Sequence, residues 1–178
     1  MFVAARVLVT VRKDTSFNLD AVIGRWDSSH DLATNGDGFL LWGLIDHVVD
    51  EYFDAVQTLD EEIEELEDLL FEARPRDKDV QRRSFALRKS LVTLRRVILP
   101  MREVVNTLLR RDRSVVSEQM APYYQDGYDH VLRATEWTDS LRDLVTTIVE
   151  TNLTLQGNRL NVITNKMTSW AAIIALPA

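Results

Sequence analysis

The chain has 178 residues, a formal net charge of −7 and no cysteine, with only 6 glycines and 4 prolines. The missing cysteines exclude thiolate metal sites and disulfides and favour a reducing compartment, and the negative charge argues against a general nucleic-acid binder. Long blocks of Leu, Glu, Arg, Val and Asp with little Gly or Pro between them predict a mainly α fold built from long helices.

The N-terminal region carries the signature of a single strand. Residues 6–13 alternate and are rich in β-branched side chains, and no basic start precedes the apolar residues as it would in a signal peptide. Since an isolated strand leaves its backbone groups unpaired, we expect its partners in sequence outside this chain. A short helix is expected within residues 17–32, and Asn-Gly-Asp-Gly at residues 35–38 predicts a turn or a helix start.

Residues 39–72 form a helical pattern with one apolar and one acidic face. The apolar side chains recur at gaps of three and four residues, as on one side of a helix. The acidic side chains have no Lys or Arg between them; they are Asp46, Asp50, Glu51, Asp54, Asp60, Glu61, Glu62, Glu64, Glu65, Glu67, Asp68 and Glu72. Because the segment lacks the loop and glycine of a dedicated calcium site, a solvated, charge-paired face is favoured over a store of bound cations.

A second, basic helix is predicted from Lys78 to about Arg111. Its apolar positions alternate in steps of four and three, which is a heptad seam; they are Leu87, Leu91, Leu94, Ile98, Met101, Val105 and Leu108. The short break at residues 73–77 predicts an antiparallel hairpin, in which the acidic face of the first helix lies beside the basic face of the second. Pro100 is expected to interrupt and bend the second helix.

The last predicted helix covers residues 121–178 and changes character near its end. Lys166 is followed by an uncharged run, residues 167–178, that contains Trp170, and this order suits a helix that enters a bilayer. The run is about a dozen residues, whereas a span needs roughly 18. We therefore expect the chain to stop before it could cross.

A polar but nearly uncharged stretch, residues 151–165, precedes that run. Its amide and hydroxyl oxygens suit a wet seam where hydrated ions pass, and they equally suit an ordinary solvated helix face. The residues alone leave both interpretations open.

Neither a zinc site nor an enzyme is favoured by the remaining residues. Asp126, Asp129 and His130 share a helix face, but they fall short of a closed zinc site by at least one ligand, and an Asp/His pair at this spacing is more often a surface hydrogen bond. The chain has no Gly-rich phosphate loop, and no serine motif lies near His30 or His47. We therefore predict that it is not an enzyme and needs no organic cofactor.

Several motifs, in order, resemble CorA-type divalent-cation channels. They are Leu-Pro-Met-Arg-Glu at residues 99–103, Tyr-Tyr-Gln-Asp-Gly-Tyr-Asp-His at 123–130, Leu-Arg-Asp at 141–143, Asn-Arg-Leu-Asn at 158–161 and Thr-Ser-Trp-Ala-Ala-Ile-Ile-Ala-Leu-Pro at 168–177. The resemblance covers roughly residues 6–178. It implies a cytoplasmic α/β domain, a helical hairpin and a long helix that becomes the first transmembrane segment, with five copies around a central pore.

The resemblance also implies roles for individual residues. Asp126 matches the stalk carboxylate that binds a regulatory cation between protomers, with Asp129 as a further candidate ligand. Asn161 matches the pore-lining asparagine near the cytoplasmic gate; Thr164 and Met167 accompany it, and Met167 lies near the hydrophobic constriction. The implied ion is Mg²⁺, with Co²⁺ or Ni²⁺ as alternatives, and oxygen ligands of this kind suit Mg²⁺.

The chain departs from the family pattern at both ends, because it has no Gly-Met-Asn motif, no second span and only the last strand of the α/β domain. We expect residues 1–37 to be a remnant of that domain, residues 38–113 the hairpin and residues 121–178 the stalk. The expected function is the cytoplasmic, Mg²⁺-sensing part of a homopentameric transporter of the plasma membrane, attached at its C-terminal end and binding no nucleic acid. The alternative is a soluble helical-bundle interaction protein whose residues 167–178 dock on a partner.

Overall fold

The computed structural model describes residues 2–4, 7–11, 17–71, 77–111 and 115–175. The elements in chain order are β1 (Phe2–Ala4), β2 (Val7–Val9), α1 (Leu19–Ser28), a 3₁₀ helix (His30–Asn35), α2 (Asp37–Leu70), α3 (Asp77–Arg111) and α4 (Ala121–Ala175). The prediction of a mainly α chain with a long hairpin and a long final helix is confirmed.

The N-terminal strand has a partner within the chain, so the expectation that its partners lie elsewhere is wrong. β1 and β2 pair antiparallel, with Val3 opposite Leu8. The apolar residues at the N-terminus supply the second extended segment and satisfy backbone groups that a lone strand would leave unpaired. The strand is also shorter than predicted, because Thr10 and Val11 follow it without regular structure and residues 12–16 lie outside the described ranges.

One residue in the turn before α2 has a backbone conformation that only glycine adopts without strain. Gly36 has a φ of 59°, in the left-handed region, where a Cβ is disfavoured. It lies between the 3₁₀ helix and the first residue of α2. The predicted turn and helix start at residues 35–38 are therefore confirmed.

The chain divides into two compact units, and each long helix contributes to both. Unit 1 comprises Met1–Thr58 and Thr93–Thr138, and unit 2 comprises Leu59–Val92 and Asp139–Ala178. Within unit 1, the Tyr124 hydroxyl donates a hydrogen bond of 2.9 Å to the Gly38 carbonyl, and a Cβ at Gly38 would collide with the carbonyl oxygen of Val115. The core side chains of unit 1 include Leu41, Ile45, Val49, Val56, Ile98, Val105, Met120, Tyr124 and Val131.

Unit 2 is built from the distal halves of α2 and α3 and the second half of α4. Its core includes Ile63, Leu66, Leu70, Val80, Leu87, Leu91, Leu141, Val145 and Ile148. Across the hairpin, Arg83 Nη1 lies 3.5 Å from Glu65 Oε2, which agrees with the predicted facing of basic and acidic surfaces. Because both side chains are about half exposed or more, the pair contributes little to stability and the apolar seam supplies most of it.

The seam predicted for α3 is only partly as expected. Leu91 and Ile98 are fully buried, whereas Leu94 and Met101 are half-buried. The interruption predicted at Pro100 is not observed, because α3 continues through this residue. Pro100 is exposed, so the ring points to solvent and the helix loses only the local hydrogen bond that proline cannot make.

Helix α4 is continuous for 55 residues. Its side chains are alternately buried up to Asn152, and every residue from 160 to 171 is exposed. In the part of the chain that the structure describes, no helix combines the length and the apolar character needed to cross a membrane.

Candidate functional site

Asp126 lies on the second turn of α4, and its side chain is 67% exposed. One carboxylate oxygen is 3.8 Å from Nε2 of His130, one turn further on. The His130 ring packs edge-on against Phe53, with ring centroids 5.9 Å apart, so it is held by α2 and does not cover the carboxylate. The Asp126 oxygens are accessible to a cation from solvent.

Asp129 is exposed on the adjoining part of the same helix. Its Oδ1 accepts a hydrogen bond of 3.1 Å from Nε2 of Gln125. Among the described residues, no group of three or more His, Asp or Glu side chains is arranged to hold a metal ion. The zinc interpretation of Asp126, Asp129 and His130 therefore gains no further ligand from the fold.

A second carboxylate beside this site was not singled out from the sequence. Asp46 of α2 is bound by Nη1 of Arg25, and Nη2 of the same guanidinium donates to Asp50 Oδ2 at 2.6 Å. The Asp46 side chain is only 17% exposed. In the sequence it is one member of the long acidic face, and only the packing of α1 on α2 distinguishes it from the solvated acids further along.

Asp46 interacts electrostatically with Asp126 and His130. Burial raises the pKa of the Asp46 carboxyl above its ordinary value, and this outweighs the lowering by Arg25; the negative charges of Asp50 and Asp126 raise it further, while His130 lowers it. For Arg25, burial works against the charge, but the two carboxylates together raise its pKa. The negative charge of Asp126 thus opposes the ionisation of Asp46, and like charges that approach each other in this way favour a nearby cation.

The three residues to which the family resemblance assigns the pore and gate lie in the exposed end of α4. Asn161, Thr164 and Met167 follow one another at three-residue steps, and Met167 is 69% exposed. We call residues 160–171 the gate segment. Its exposed apolar side chains include Leu160, Val162, Ile163, Met167 and Trp170.

The whole chain matches one protein family. Residues 1–178 match the CorA-like Mg²⁺ transporter protein family. The hairpin, the long final helix and this match define the class, and the chain belongs to the CorA-like family.

Similar proteins come from bacteria and an archaeon. The cobalt/magnesium transport protein CorA of Thermotoga maritima is 35% identical over 135 residues, which is 76% of this chain and 38% of the relative. The putative metal ion transporter YfjQ of Bacillus subtilis is 30% identical over 175 residues, which is 97% of this chain and 54% of the relative. The chain thus spans about half the length, or less, of these curated relatives.

Two solved structures share the fold at 25% sequence identity. The complete CorA magnesium transporter from Methanocaldococcus jannaschii superposes with a TM-score of 0.68, covering 83% of this chain and 48% of the other. The soluble domain of CorA from the same organism gives a TM-score of 0.63, covering 75% of this chain and 55% of the other.

Proposed function

We propose that the chain is the cytoplasmic regulatory stalk of a CorA-like divalent-cation transport protein, and that intracellular Mg²⁺ bound at Asp126 favours the closed state of the pore. Family membership supports transport of a divalent cation as the general role. The observation that carries the finer proposal is the exposed Asp126 carboxylate, which lies on the same continuous helix as the gate segment.

The chemistry of Asp126 fits Mg²⁺. This ion keeps several of its waters and is held in proteins by one or two carboxylates, so an accessible carboxylate at a boundary between protomers is a suitable ligand, with Asp129 next to it as a further candidate. When Mg²⁺ is bound it supplies positive charge between like-charged surfaces, which otherwise repel. Co²⁺ and Ni²⁺ are the alternative ions, and the proposal involves no organic cofactor.

The proposal places the exposed end of α4 at the pore. In a homopentamer, Asn161 and Thr164 offer uncharged oxygens to a hydrated ion and Met167 forms an apolar constriction. The large apolar side chains of the gate segment are costly to leave in water, which supports their burial among copies of the chain. The C-terminal end then attaches this region to the plasma membrane from the cytoplasmic side.

Calorimetric titration of the chain with Mg²⁺ tests the site. We expect weak binding that Asp126→Asn abolishes, since one protomer offers few ligands. Asp143→Asn is the matched control, because Asp143 is a 77% exposed carboxylate of the same helix that pairs with Arg142 beside it. Tight binding that Asp126→Asn leaves unchanged would show that the sensor lies elsewhere.

A further inference from the structure

One ion pair joins the start of α3 to the end of the buried part of α4. Asp77 is the first residue of α3, and its Oδ1 accepts a hydrogen bond of 3.2 Å from Nη1 of Arg159. The two residues are separated by 82 positions in the sequence, so the contact exists only because of the tertiary fold.

A second contact fixes the relative direction of the two helices in unit 2. Arg88 Nη2 donates a hydrogen bond of 2.9 Å to Thr146 Oγ1. A step forward along α3 from Asp77 to Arg88 therefore corresponds to a step backward along α4 from Arg159 to Thr146. The two helices run antiparallel, and the Asp77–Arg159 pair lies at the end of their contact nearest the gate segment.

Arg159 directly precedes the gate segment along α4. Arg159 is the last residue of α4, among those whose side chains are described, that is not exposed to solvent. Asn161 follows two positions later, within a single helical turn. Among the residues whose side chains are described, the packing of unit 2 on α4 therefore ends at this ion pair.

The partial exposure of the ion pair makes it weak and reversible. Both side chains are 36% exposed, so water and salt screen the attraction. A contact of this kind adds little to global stability. It can nevertheless shift the populations of two positions of a helix end when the described residues of that end make few other contacts.

We propose that the Asp77–Arg159 ion pair is the contact through which the hairpin positions the gate segment, with Arg159 as a positioning residue that acts on Asn161 through the helix. The term gate rests on the proposed function, whereas the mechanical link between hairpin and helix end does not. Formation of the pair holds the base of the gate segment against α3, and its loss frees the helix end to move away from the hairpin.

The mechanical link can be tested on the chain itself. Because this chain has no cysteine, nitroxide labels can be attached after Gln81→Cys and Ser169→Cys, which are exposed positions of α3 and of the gate segment. Arg159→Gln and Asp77→Asn should each shift the spin-label distance to longer values and broaden its distribution. Arg159→Lys, which keeps the charge, should resemble the parent protein.

The matched control removes the same charge from the same helix. Arg142→Gln should leave the distance unchanged, because Arg142 pairs with Asp139 and Asp143 of its own helix. An unchanged distance in Arg159→Gln, or an equal shift in Arg142→Gln, would overturn the proposal.

The effect on transport is measured in a chimera in which this chain replaces the matched segment of the Bacillus subtilis relative. Arg159→Gln should raise the Mg²⁺ concentration that closes the chimera without changing its maximal flux, and Arg142→Gln should alter neither. Equal closing concentrations for Arg159→Gln and its parent would contradict the positioning role. If the parent chimera itself failed to respond to Mg²⁺, the proposed function would fail, while the distance measurement would still decide the mechanical link.

Discussion

Replacement of Ile98 by alanine tests the packing of α3 most directly. Ile98 is fully buried in unit 1, whereas its neighbour Val97 is 51% exposed on the same helix. Ile98→Ala and Val97→Ala therefore both shorten a β-branched side chain at adjacent positions of one helix. Ile98 is in the core, whereas Val97 is exposed to solvent. Any difference between the two variants reports on burial.

The expected cost follows from the side chain that is removed. Isoleucine loses three carbon atoms on conversion to alanine, and each buried methylene-sized group contributes about 0.8 kcal/mol of transfer free energy. The cavity that remains adds to this, so that the total loss in the free energy of unfolding should be about 2–5 kcal/mol. Val97→Ala should change it by about 0.5 kcal/mol or less, as most surface substitutions do.

Urea denaturation followed by the helical circular dichroism signal measures both values. The midpoint should fall clearly for Ile98→Ala and hardly at all for Val97→Ala, with similar slopes. Leu94→Ala should lie between them because Leu94 is half-buried. Equal losses for Ile98→Ala and Val97→Ala would refute the assignment of Ile98 to the core.

Four further substitutions test local features of unit 1. Burial raises the pKa of Asp46 above its ordinary value of 3.8, so folding is coupled to binding of a proton by this carboxyl. The stability of the parent relative to Asp46→Asn should therefore fall as the pH rises from 3.8 through the raised pKa. Paired urea titrations of the two proteins across this range measure the difference. Tyr124→Phe should cost about 1 kcal/mol through loss of the buried hydrogen bond to Gly38, measured by thermal unfolding. Gly38→Ala should lower the free energy of unfolding, because the added Cβ collides with the carbonyl oxygen of Val115. Gly24→Ala should raise it by about 0.5–1 kcal/mol, because a Cβ at Gly24 meets no other atom. A higher free energy of unfolding in both variants would contradict the close approach at Gly38.

The long helices could be predicted because their signals are local and repeated. The heptad seam of α3 and the three-and-four spacing of α2 recur over many turns, so that errors at single positions, such as the half-buried Leu94, do not alter the prediction of a helix. The turn at Gly36 was equally local. A helix was predicted on both sides of Pro100, but its continuity through this residue was not, because the sequence does not tell which side of the helix a proline ring will occupy.

Contacts between distant residues could not be predicted in the same way. Arg25 binds Asp46 only because α1 packs on α2, and the sequence offers many other acids of equal appearance along that face. Likewise, nothing in the sequence joins Asp77 to Arg159 until α3 and α4 are placed side by side. Asp126 was singled out by its resemblance to a family motif, and its role as a sensor remains a prediction.

The Mg²⁺ concentration that closes the chimera with the Bacillus subtilis relative is the most direct test of the account. Flux of a divalent cation into vesicles would be measured against the Mg²⁺ concentration on the side that the chain faces, for the parent, Asp126→Asn and the control Asp143→Asn. The account predicts that Asp126→Asn needs more Mg²⁺ to close than the parent, at the same maximal flux, and that Asp143→Asn closes as the parent does. Closure of Asp126→Asn at the parent's Mg²⁺ concentration would contradict it.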